Sequence, residues 1–357
     1  MSSADEQQAI ALLEAMVRIP SRSHHETELA HVLVAEMRAR GFNAFVDTAG
    51  NAVGIIGAGP EIVLLGHIDT VAGEVPVRMK DGRLYGRGAV DAKGPSATFV
   101  SAAARLHAAG MLNKRLVLVG AVEEEAATSK GAHFAATQYR PAACIIGEPS
   151  GWEKITLGYK GRLLLDASWA QGAAHSAGPA RAVAEHAVAF WNAVAAHCGA
   201  HNAQHTRLFD QLLPSLRAIQ TSGDGLTEVA LLTIGIRLPP AIGADLLAAQ
   251  LATLATDGRA PTELHFRDMC PAYQSPRDTP LARALLGSIR AAGGTPGFLL
   301  KTGTSDMNVV GPAWGCPIVA YGPGDSALDH TPHEHIVLDE YLRGITVLCS
   351  ALSRLIC

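Results

Sequence analysis

Several apolar runs in this sequence end in residues that can bind a metal ion or activate water. The run Ile62–Leu65 leads to His67 and Asp69, and the glycine-rich segment Gly86–Gly94 contains Asp91. The other candidates that follow apolar runs are Glu123, Glu124, Glu125, Glu148 and His330. Ligands concentrate at the carboxyl edge of an open α/β sheet, where residues that are far apart in sequence meet. The pattern predicts a two-metal hydrolase site.

His67 and Asp69 stand two residues apart, which places them on the same side of an extended strand. Asp69 is then able to support the imidazole, an arrangement that fixes the tautomer and raises the basicity of a metal-bound histidine. On its own, the pair fits a strand-end histidine without a metal equally well.

The acidic candidates also have structural interpretations. Asp91 precedes a helix that starts near Gly94, where the helix dipole favours a carboxylate. The triplet Glu123–Glu125 follows the run Leu116–Val122, and clustered carboxylates repel one another unless a proton or a cation intervenes. A solvated acidic loop is the alternative for this triplet. Glu148 repeats the strand-end pattern, and this repetition favours a shared site.

The segment that begins at His330 contains three histidines, His330, His333 and His335, which compete for one ligand role. Oxygen ligands mixed with imidazole suit zinc, cobalt or manganese, and an open position for water is typical of catalytic sites. Two metals that share a carboxylate activate water and polarise a carbonyl together. A further carboxylate is needed to accept the proton of the water.

Other kinds of site have weaker support. The glycines around Asp91 match neither of the common nucleotide-binding loops. Serine or cysteine chemistry lacks a GxSxG elbow and a motif-borne cysteine. His197, His201 and His205 have helical spacing, but the glycine and asparagine among them are expected to break the helix, and no carboxylate accompanies them.

Length and composition narrow the class of protein. The 357 residues exceed the size at which one core usually stops growing, so two domains are expected. The net charge of −4 comes from 29 basic and 33 acidic residues that are mixed along the chain, which argues against nucleic-acid or membrane partners. Six scattered cysteines indicate reduced thiols in a cytoplasmic protein. The polar amino terminus and the lack of a long apolar run argue against export and membrane insertion.

Hydrophobic periodicity predicts an α/β fold with an inserted module. Residues 1–160 and 273–357 are expected to form one mostly parallel-sheet domain, interrupted by an α+β domain over residues 161–272. Ser23 and Glu26 are expected to form a capping box. The predicted helices are 4–18, 26–40, 96–109, 179–197, 243–256, 280–292 and 339–355. The predicted strands are 44–47, 53–56, 61–66, 116–122, 142–147, 162–170, 228–237, 263–269 and 317–321.

Over essentially its full length, the chain resembles the di-metal amidohydrolases and peptidases that include acetylornithine deacetylase and succinyl-diaminopimelate desuccinylase. That family has a His-x-Asp, a bridging Asp, a Glu-Glu pair, a later acidic ligand and a near-terminal His. The matching residues, in order, are His67, Asp69, Asp91, Glu124, Glu125, Glu148 and His330. This resemblance implies a di-metal hydrolase domain with an inserted dimerisation or lid domain.

The resemblance also implies roles within the site. Asp91 bridges two divalent metal ions, for which zinc is the leading choice and cobalt an alternative. The remaining ligands are His67 and Glu148 on one ion, and Glu125 and His330 on the other. Glu124 is the general base and Asp69 a supporting catalytic carboxylate. The choice of Glu124 aligns Glu123 with the acidic residue that usually precedes the pair.

In the inserted domain, residues Gly172–Ser176 are similar to the family segment whose histidine, here His175, stabilises the oxyanion. In relatives this histidine reaches the other subunit, which implies a homodimer. Arg237 lies where relatives often hold a substrate carboxylate, although a surface strand arginine is the alternative. A segment similar to one near the family's substrate pocket supplies Gly303, Thr304 and Ser305.

The amino-acid sequences of four segments are most similar to those of short enzymes of lysine and arginine biosynthesis. These segments are GHIDTVAGEVPVR, YGRGAVDAKGP, EEEAATSKGA and KTGTSDMNVVGP. These enzymes release lysine or ornithine from the γ-glutamyl end of an amino-group carrier protein. The resemblance therefore implies such a conjugate as the substrate. A deacetylase of acetylornithine or acetyllysine, a dipeptidase and a non-catalytic binding relative are the alternatives.

Overall fold

The computed structural model describes residues 3–175, 177–254 and 261–355. Their contacts divide the chain into two units. The first unit runs to Gly158 and resumes over Ser275–Leu300 and from Ser305 onward, and the second contains Tyr159–Gln274 with Lys301–Thr304. The domain boundaries expected from the sequence, after residues 160 and 272, stay predictions.

The first part of the chain alternates between helices and strands, as its periodicity predicts. Its elements are α1 (Ser3–Arg18), α2 (Thr27–Ala39), β1 (Asn43–Val46), β2 (Ala52–Ile56), β3 (Glu61–His67), β4 (Arg78–Lys80), β5 (Arg83–Tyr85), α3 (Lys93–Ala108), β6 (Arg115–Ala121), α4 (Lys130–Gln138), β7 (Ala143–Gly147) and β8 (Lys154–Tyr159).

The middle of the chain forms an antiparallel sheet with two helices. Its elements are β9 (Gly161–Gly172), α5 (Val183–Asn202), β10 (Leu213–Gly223), β11 (Thr227–Leu238), α6 (Ala244–Leu254), β12 (Glu263–Cys270) and β13 (Tyr273–Gln274). Strands β10, β11, β9 and β12 lie side by side in that order. The last part of the chain contributes α7 (Pro280–Ala291), β14 (Gly297–Lys301), α8 (Met307–Trp314), β15 (Ile318–Ala320), β16 (His335–Val337) and α9 (Leu338–Arg354).

The large sheet of the first unit has a parallel centre. Strand β3 is parallel to both β6 and β7, and β15 is parallel to β7. The flanking pairs, β1 with β2, β2 with β6 and β8 with β15, are antiparallel. Buried parallel strands read as nearly continuous apolar runs, and β3, β6 and β7 have this character. The predicted α/β class with a mostly parallel sheet is confirmed.

Each unit has its own hydrophobic core. In the first unit, α1, α2, α3 and α9 contribute buried apolar side chains that pack with those of the sheet. In the second unit, the inward residues of β9 and β11 pack with α5 and α6. Within the described residues, no helix is both long enough and apolar enough to cross a membrane.

The predicted capping box is wrong. Glu26 is the N-cap of α2 but makes no side-chain capping bond. Its Oε1 instead accepts the backbone N–H groups of His24 at 3.0 Å and Glu123 at 3.1 Å. Ser23 Oγ donates to Asp69 Oδ2 at 2.7 Å. Both side chains therefore form hydrogen bonds with groups outside α2 and do not cap this helix.

The predicted helix break at Gly199 is also wrong, because α5 continues to Asn202. Val194 and Cys198 are buried on the inner face of this helix, whereas Gly199 is exposed, so packing outweighs the roughly 1 kcal/mol cost of a helical glycine. Within the described part of the chain, His201 belongs to no group of residues that could hold a metal ion.

Some elements leave too little periodic signal to be predicted. Strand β10 is exposed along most of its length, and β4, β5 and β16 have three residues each. Helix α8 has eight residues and contains Pro312. The end of the predicted helix 243–256 and Cys357 lie outside the described residues, as does Ser176 of the segment with His175.

Candidate metal centre

The carboxyl ends of three adjacent parallel strands bring the candidate ligands together. His67 is the last residue of β3, the acidic triplet follows β6, and Glu148 follows β7. Gly66 of β3 pairs in register with Gly147 of β7. The parallel centre of the sheet thus places these side chains at one edge.

Two glycines next to these ligands allow a helix to pack closely. A Cβ on Gly66 would lie 2.6 Å from Ser96 Oγ, and one on Gly147 would lie 2.8 Å from the Phe99 ring. Both neighbours belong to α3. Because a larger residue would push α3 away, these glycines help to fix the edge where His67 and Glu148 begin.

Asp91 stands between two imidazoles. Its Oδ1 lies 3.1 Å from His67 Nε2, and its Oδ2 lies 3.0 Å from His330 Nε2. Each oxygen of one carboxylate therefore faces a different histidine. Burial works against ionisation, but the hydrogen bonds with His330 and His67 outweigh it and lower the pKa of Asp91. An ionised carboxylate in this position is suited to bridging two cations.

Further carboxylates surround each histidine. His67 Nε2 lies 3.9 Å from Glu124 Oε2 and 3.8 Å from Glu148 Oε1. His330 Nε2 lies 2.8 Å from Glu125 Oε1. Two sets have ligand atoms close enough to surround one ion: His67 with Glu124 and Glu148, and His67 with Asp91 and Glu125.

The electrostatics of this cluster reflect buried like charges. Burial, together with the nearby charges of Glu148 and Glu125, raises the pKa of Glu124 well above its usual value. Burial likewise raises the pKa of Glu125, with a contribution from Asp91. Burial alone would lower the pKa of His67, but hydrogen bonds with Asp69 and Asp91 raise it well above the ordinary value.

Asp69 holds both the histidine and the acidic turn. His67 Nδ1 lies 3.0 Å from the Asp69 carbonyl oxygen and 3.4 Å from its Oδ1, which leaves Nε2 directed at the cluster. The carboxylate also accepts the backbone N–H groups of Glu124 at 3.1 Å and Glu125 at 3.0 Å. Despite burial, the hydrogen bond with His67 helps to lower the pKa of Asp69.

The residues of the triplet have different surroundings. Glu123 has a left-handed backbone with φ of 61°. Its carboxylate accepts Thr128 Oγ1 at 2.6 Å and lies 3.6 Å from Lys130 Nζ. Glu124 and Glu125 face the histidines instead. The register expected from the sequence thus corresponds to the geometry, while the roles of these residues stay predictions.

The three histidines of the last segment also separate. His330 contacts Asp91 and Glu125, as described above. His335 begins β16 and its ring lies 4.8 Å from that of Tyr85, and His333 is exposed. Only His330 among these three belongs to the cluster.

The donor set suits divalent transition metals. It combines imidazole nitrogens with carboxylate oxygens, and five of its members are less than 12% exposed at the side chain while His330 is 50% exposed. Several carboxylates that share a buried site without a full complement of cationic side chains are stabilised by bound cations. The residues present therefore fit a two-metal site of the nitrogen and oxygen type.

In the inserted unit, Arg237 is a partly buried guanidinium at the end of β11. Its Nη1 donates to Thr304 Oγ1 at 3.2 Å. Burial and the neighbouring charges of Arg162 and Arg217 lower the pKa of Arg237. Arg162 is paired with Asp268 at 2.6 Å, whereas no carboxylate of the described residues lies within ion-pair distance of Arg237. The expected role of Arg237 in holding a substrate carboxylate stays a prediction.

The other expected site residues have varied settings. His175 follows β9 and is exposed, and its Nδ1 accepts the N–H of Ala177 at 3.2 Å. Ser305 is buried, and its Oγ accepts the N–H of Met307 at the start of α8. Gly303 and Thr304 are partly exposed. Their roles in substrate binding stay predictions.

Asp306 is a buried carboxylate that is not among the ligands predicted from the sequence. It is 2% exposed, and within the described residues neither carboxylate oxygen has a hydrogen-bond partner. Burial raises its pKa to about 7, assisted by the charge of Asp69 and opposed by that of His67. Asp306 lies between β14 and α8, in the same GTSDMN segment as Ser305. This position is the sequence signal that could have identified it as a candidate site residue.

Comparison with known proteins agrees with this geometry. The model of peptidase family M20/M25/M40 matches residues 63–354. The [LysW]-lysine hydrolase of Deinococcus radiodurans is 47% identical, over 99% of this chain and 98% of its own length. A Thermococcus kodakarensis relative is 38% identical over 99% of this chain and 94% of its own, and its provisional name covers [LysW]-lysine and [LysW]-ornithine hydrolysis.

A solved structure shows the same fold at low sequence identity. The M20 family metallo-carboxypeptidase Sso-CP2 of Sulfolobus solfataricus superposes with a TM-score of 0.80 at 16% identity. The match covers 97% of this chain and 98% of that one. The chain therefore belongs to peptidase family M20/M25/M40, as a metal-dependent hydrolase.

Proposed function

We propose that this enzyme releases lysine from a carrier protein of the LysW type by hydrolysing the amide between the carrier's terminal γ-glutamyl group and the α-amino group of lysine. The observation that carries the proposal is the end-to-end similarity to the Deinococcus radiodurans enzyme, at 47% identity. The clustered histidines and carboxylates support hydrolytic chemistry at one sheet edge. Ornithine, and with it arginine biosynthesis, is the second product class to test.

The proposed metal centre holds two divalent ions, with zinc as the leading choice and cobalt as the alternative. Asp91 would be shared, because its two oxygens face different histidines. The other proposed ligands are His67 and Glu148 on one ion, and Glu125 and His330 on the other. When bound, the ions would lower the pKa of water and polarise the amide carbonyl.

Glu124 is the proposed general base. It accepts a proton from the attacking water and returns it to the α-nitrogen of lysine as the carbon–nitrogen bond breaks. Its position supports this role, because its Oε2 lies in the cluster, 3.9 Å from His67 Nε2, and a general base must be within reach of the water that it deprotonates. Asp69 holds the Glu124–Glu125 turn by accepting both backbone N–H groups.

Three further groups complete the proposal. His175 donates a hydrogen bond to the oxygen of the tetrahedral intermediate. In the proposed homodimer, the histidine of one subunit acts at the active site of the other. Arg237 holds the free carboxylate of the lysine unit, which is supported by its partial burial without a carboxylate partner in the described chain. Gly303, Thr304 and Ser305 are further proposed substrate-binding residues. We also place the enzyme in the cytoplasm, where the scattered cysteines would stay reduced.

Competing substrates test this proposal. The kcat/KM values for carrier conjugates of γ-glutamyl-lysine and γ-glutamyl-ornithine are compared with those for acetyllysine, acetylornithine and dipeptides. Higher values for a conjugate than for every small substrate are expected. A clear preference for an acetylated amino acid or a dipeptide contradicts the carrier proposal, and absence of all hydrolysis by the metal-loaded protein supports a binding relative instead. Glu124→Gln protein, purified in parallel, controls for contaminating hydrolases.

A further inference from the structure

Glu334 is a buried carboxylate near the metal centre that has no place in the ligand set. Its residue is 0% exposed. Oε1 accepts the backbone N–H groups of Val90 at 3.0 Å and Asp91 at 3.2 Å. Oε2 lies 2.7 Å from Arg87 Nη1. One side chain thus holds the turn that carries Asp91 at three points.

The same segment also provides His330, four residues earlier in the chain. The side chain of Asp91 contacts His330 at 3.0 Å, while its backbone N–H is held by Glu334. Asp91 is therefore linked to this segment twice, once through its carboxylate and once through its amide. Both links connect Asp91 to the segment that carries His330.

The segment is fixed independently of these contacts. His335 and Val337 of β16 pair in register with Tyr85 and Arg83 of β5. The carbonyl oxygen of Glu334 accepts the N–H of Gly86 at 3.3 Å. Glu334 thus projects from an anchored strand and is suited to transmit that rigidity to the turn with Asp91.

Burial of this carboxylate is costly unless its charge is satisfied. The charge of Glu334 is satisfied by the backbone N–H groups of Val90 and Asp91 and by the guanidinium of Arg87. An apolar residue would fill this space at lower cost but would leave those N–H groups unpaired. A role in fixing the turn that carries Asp91 explains why a carboxylate is buried here despite the unfavourable free energy of its desolvation.

We propose that Glu334 is a positioning residue of the metal centre, which holds Asp91 and His330 at the separation that two neighbouring cations require. It is not a ligand and does not contact the reacting atoms. Asp69 acts in the same manner on the turn with Glu124 and Glu125. Outer partners of ligands typically change metal affinity by about 10-fold to 100-fold when they are replaced.

Glu334→Gln tests the proposal, because it keeps the size of the side chain but places an amide group where a charged acceptor stands. Zinc affinity is measured by competition with a chromogenic chelator, and the visible spectrum is recorded with saturating cobalt. A loss of zinc affinity of about 10-fold to 100-fold and an altered cobalt spectrum are expected. Affinity within twofold of wild type, with an unchanged spectrum, overturns the proposal.

The matched control is Asp224→Asn in the inserted unit. Asp224 also accepts two backbone N–H groups, those of Leu226 and Thr227, in a turn. Its replacement is expected to leave zinc affinity and the cobalt spectrum unchanged. If it weakens zinc binding as much as Glu334→Gln does, general destabilisation explains both results and the proposal fails.

Arg87→Gln provides a second test if Glu334→Gln does not fold. This variant removes the cation beside Oε2 but keeps the carboxylate and both N–H donors. A loss of zinc affinity of at least threefold supports the positioning role, and a change below twofold contradicts it. The inference rests on Asp91 and His330 being ligands. That assignment fails separately if Asp91→Ala retains its full metal content.

Discussion

Charged side chains are arranged differently in the two units of this chain. In the first unit, four carboxylates and two histidines crowd at one sheet edge. In the second unit, Asp166 and Asp268 are each paired with one arginine, Arg267 and Arg162. These two acids of the second unit are neutralised by arginines of the chain itself, whereas the clustered acids of the first unit accumulate around two imidazoles.

This difference shows how a functional cluster is distinguished from structural ion pairs. Paired surface charges contribute little, typically about 0–1 kcal/mol. Buried like charges are costly, and a fold that keeps them together needs a compensating group. In the first unit, the proposed divalent cations would supply that compensation. The contrast predicts large chemical effects for substitutions in the cluster and a small effect for the exposed pair of Arg267 and Asp166.

The largest effect is expected for Glu124→Gln. The amide keeps the shape of the side chain but does not accept the proton of the water, so kcat should fall by about 100-fold to 10,000-fold. Metal content, measured by elemental analysis, should remain close to wild type. Glu123→Gln is the neighbouring control, since Glu123 faces Thr128 and Lys130. If the control is inactive and Glu124→Gln is active, the assignment is wrong by one residue.

His175→Ala asks whether the inserted unit takes part in the chemistry. Loss of one oxyanion donor typically lowers kcat by about 100-fold to 1,000-fold. Zinc affinity should not change. Mixed preparations of His175→Ala and Glu124→Gln subunits should regain partial activity if the histidine acts across a dimer. Failure to regain activity after verified subunit exchange indicates action within one chain.

Metal removal probes the compensation in the first unit directly. A ligand that binds only the folded state, at a free concentration 100 times its Kd, stabilises the folded protein by about 2.7 kcal/mol. Zinc should therefore raise the melting temperature of the chelator-treated protein, and the shift should be much smaller for Asp91→Ala. An equal shift in that variant would contradict the role of Asp91 as the shared ligand.

The sequence was most informative where regular strands deliver the site residues. The apolar runs before His67 and Glu148 predicted both the strands and their polar ends, because buried parallel strands have an unmistakable composition. The family resemblance selected Glu124 over Glu123 and His330 over its two neighbours; both selected residues lie in the cluster, and their roles stay predictions. Pattern alone left these alternatives open.

What the sequence did not predict depends on contacts between distant segments. Ser23 donates to the buried Asp69 carboxylate and does not cap α2, because this helix begins at Thr27 with Glu26 as its N-cap. Glu334 contacts residues more than 240 positions away, so local spacing carries no trace of its partners. Asp306 is similar, because its burial comes from the folded chain around it.

The smallest effect is expected for Arg267→Ala, which removes the partner of Asp166 in the inserted unit. Both side chains are well exposed, so the free energy of unfolding at pH 7 should fall by no more than about 1 kcal/mol in urea titrations. The hydrogen bond from Arg267 lowers the pKa of Asp166 in the folded protein. The contribution of the pair is therefore present above the ordinary pKa of an aspartate, about 3.9, and is lost as the pH falls through the lowered value.

Arg217→Ala is the matched control, because no carboxylate of the described chain forms an ion pair with it. If Arg267→Ala destabilises by several kcal/mol more than this control, the pairs of the second unit carry more weight than the contrast with the metal centre allows.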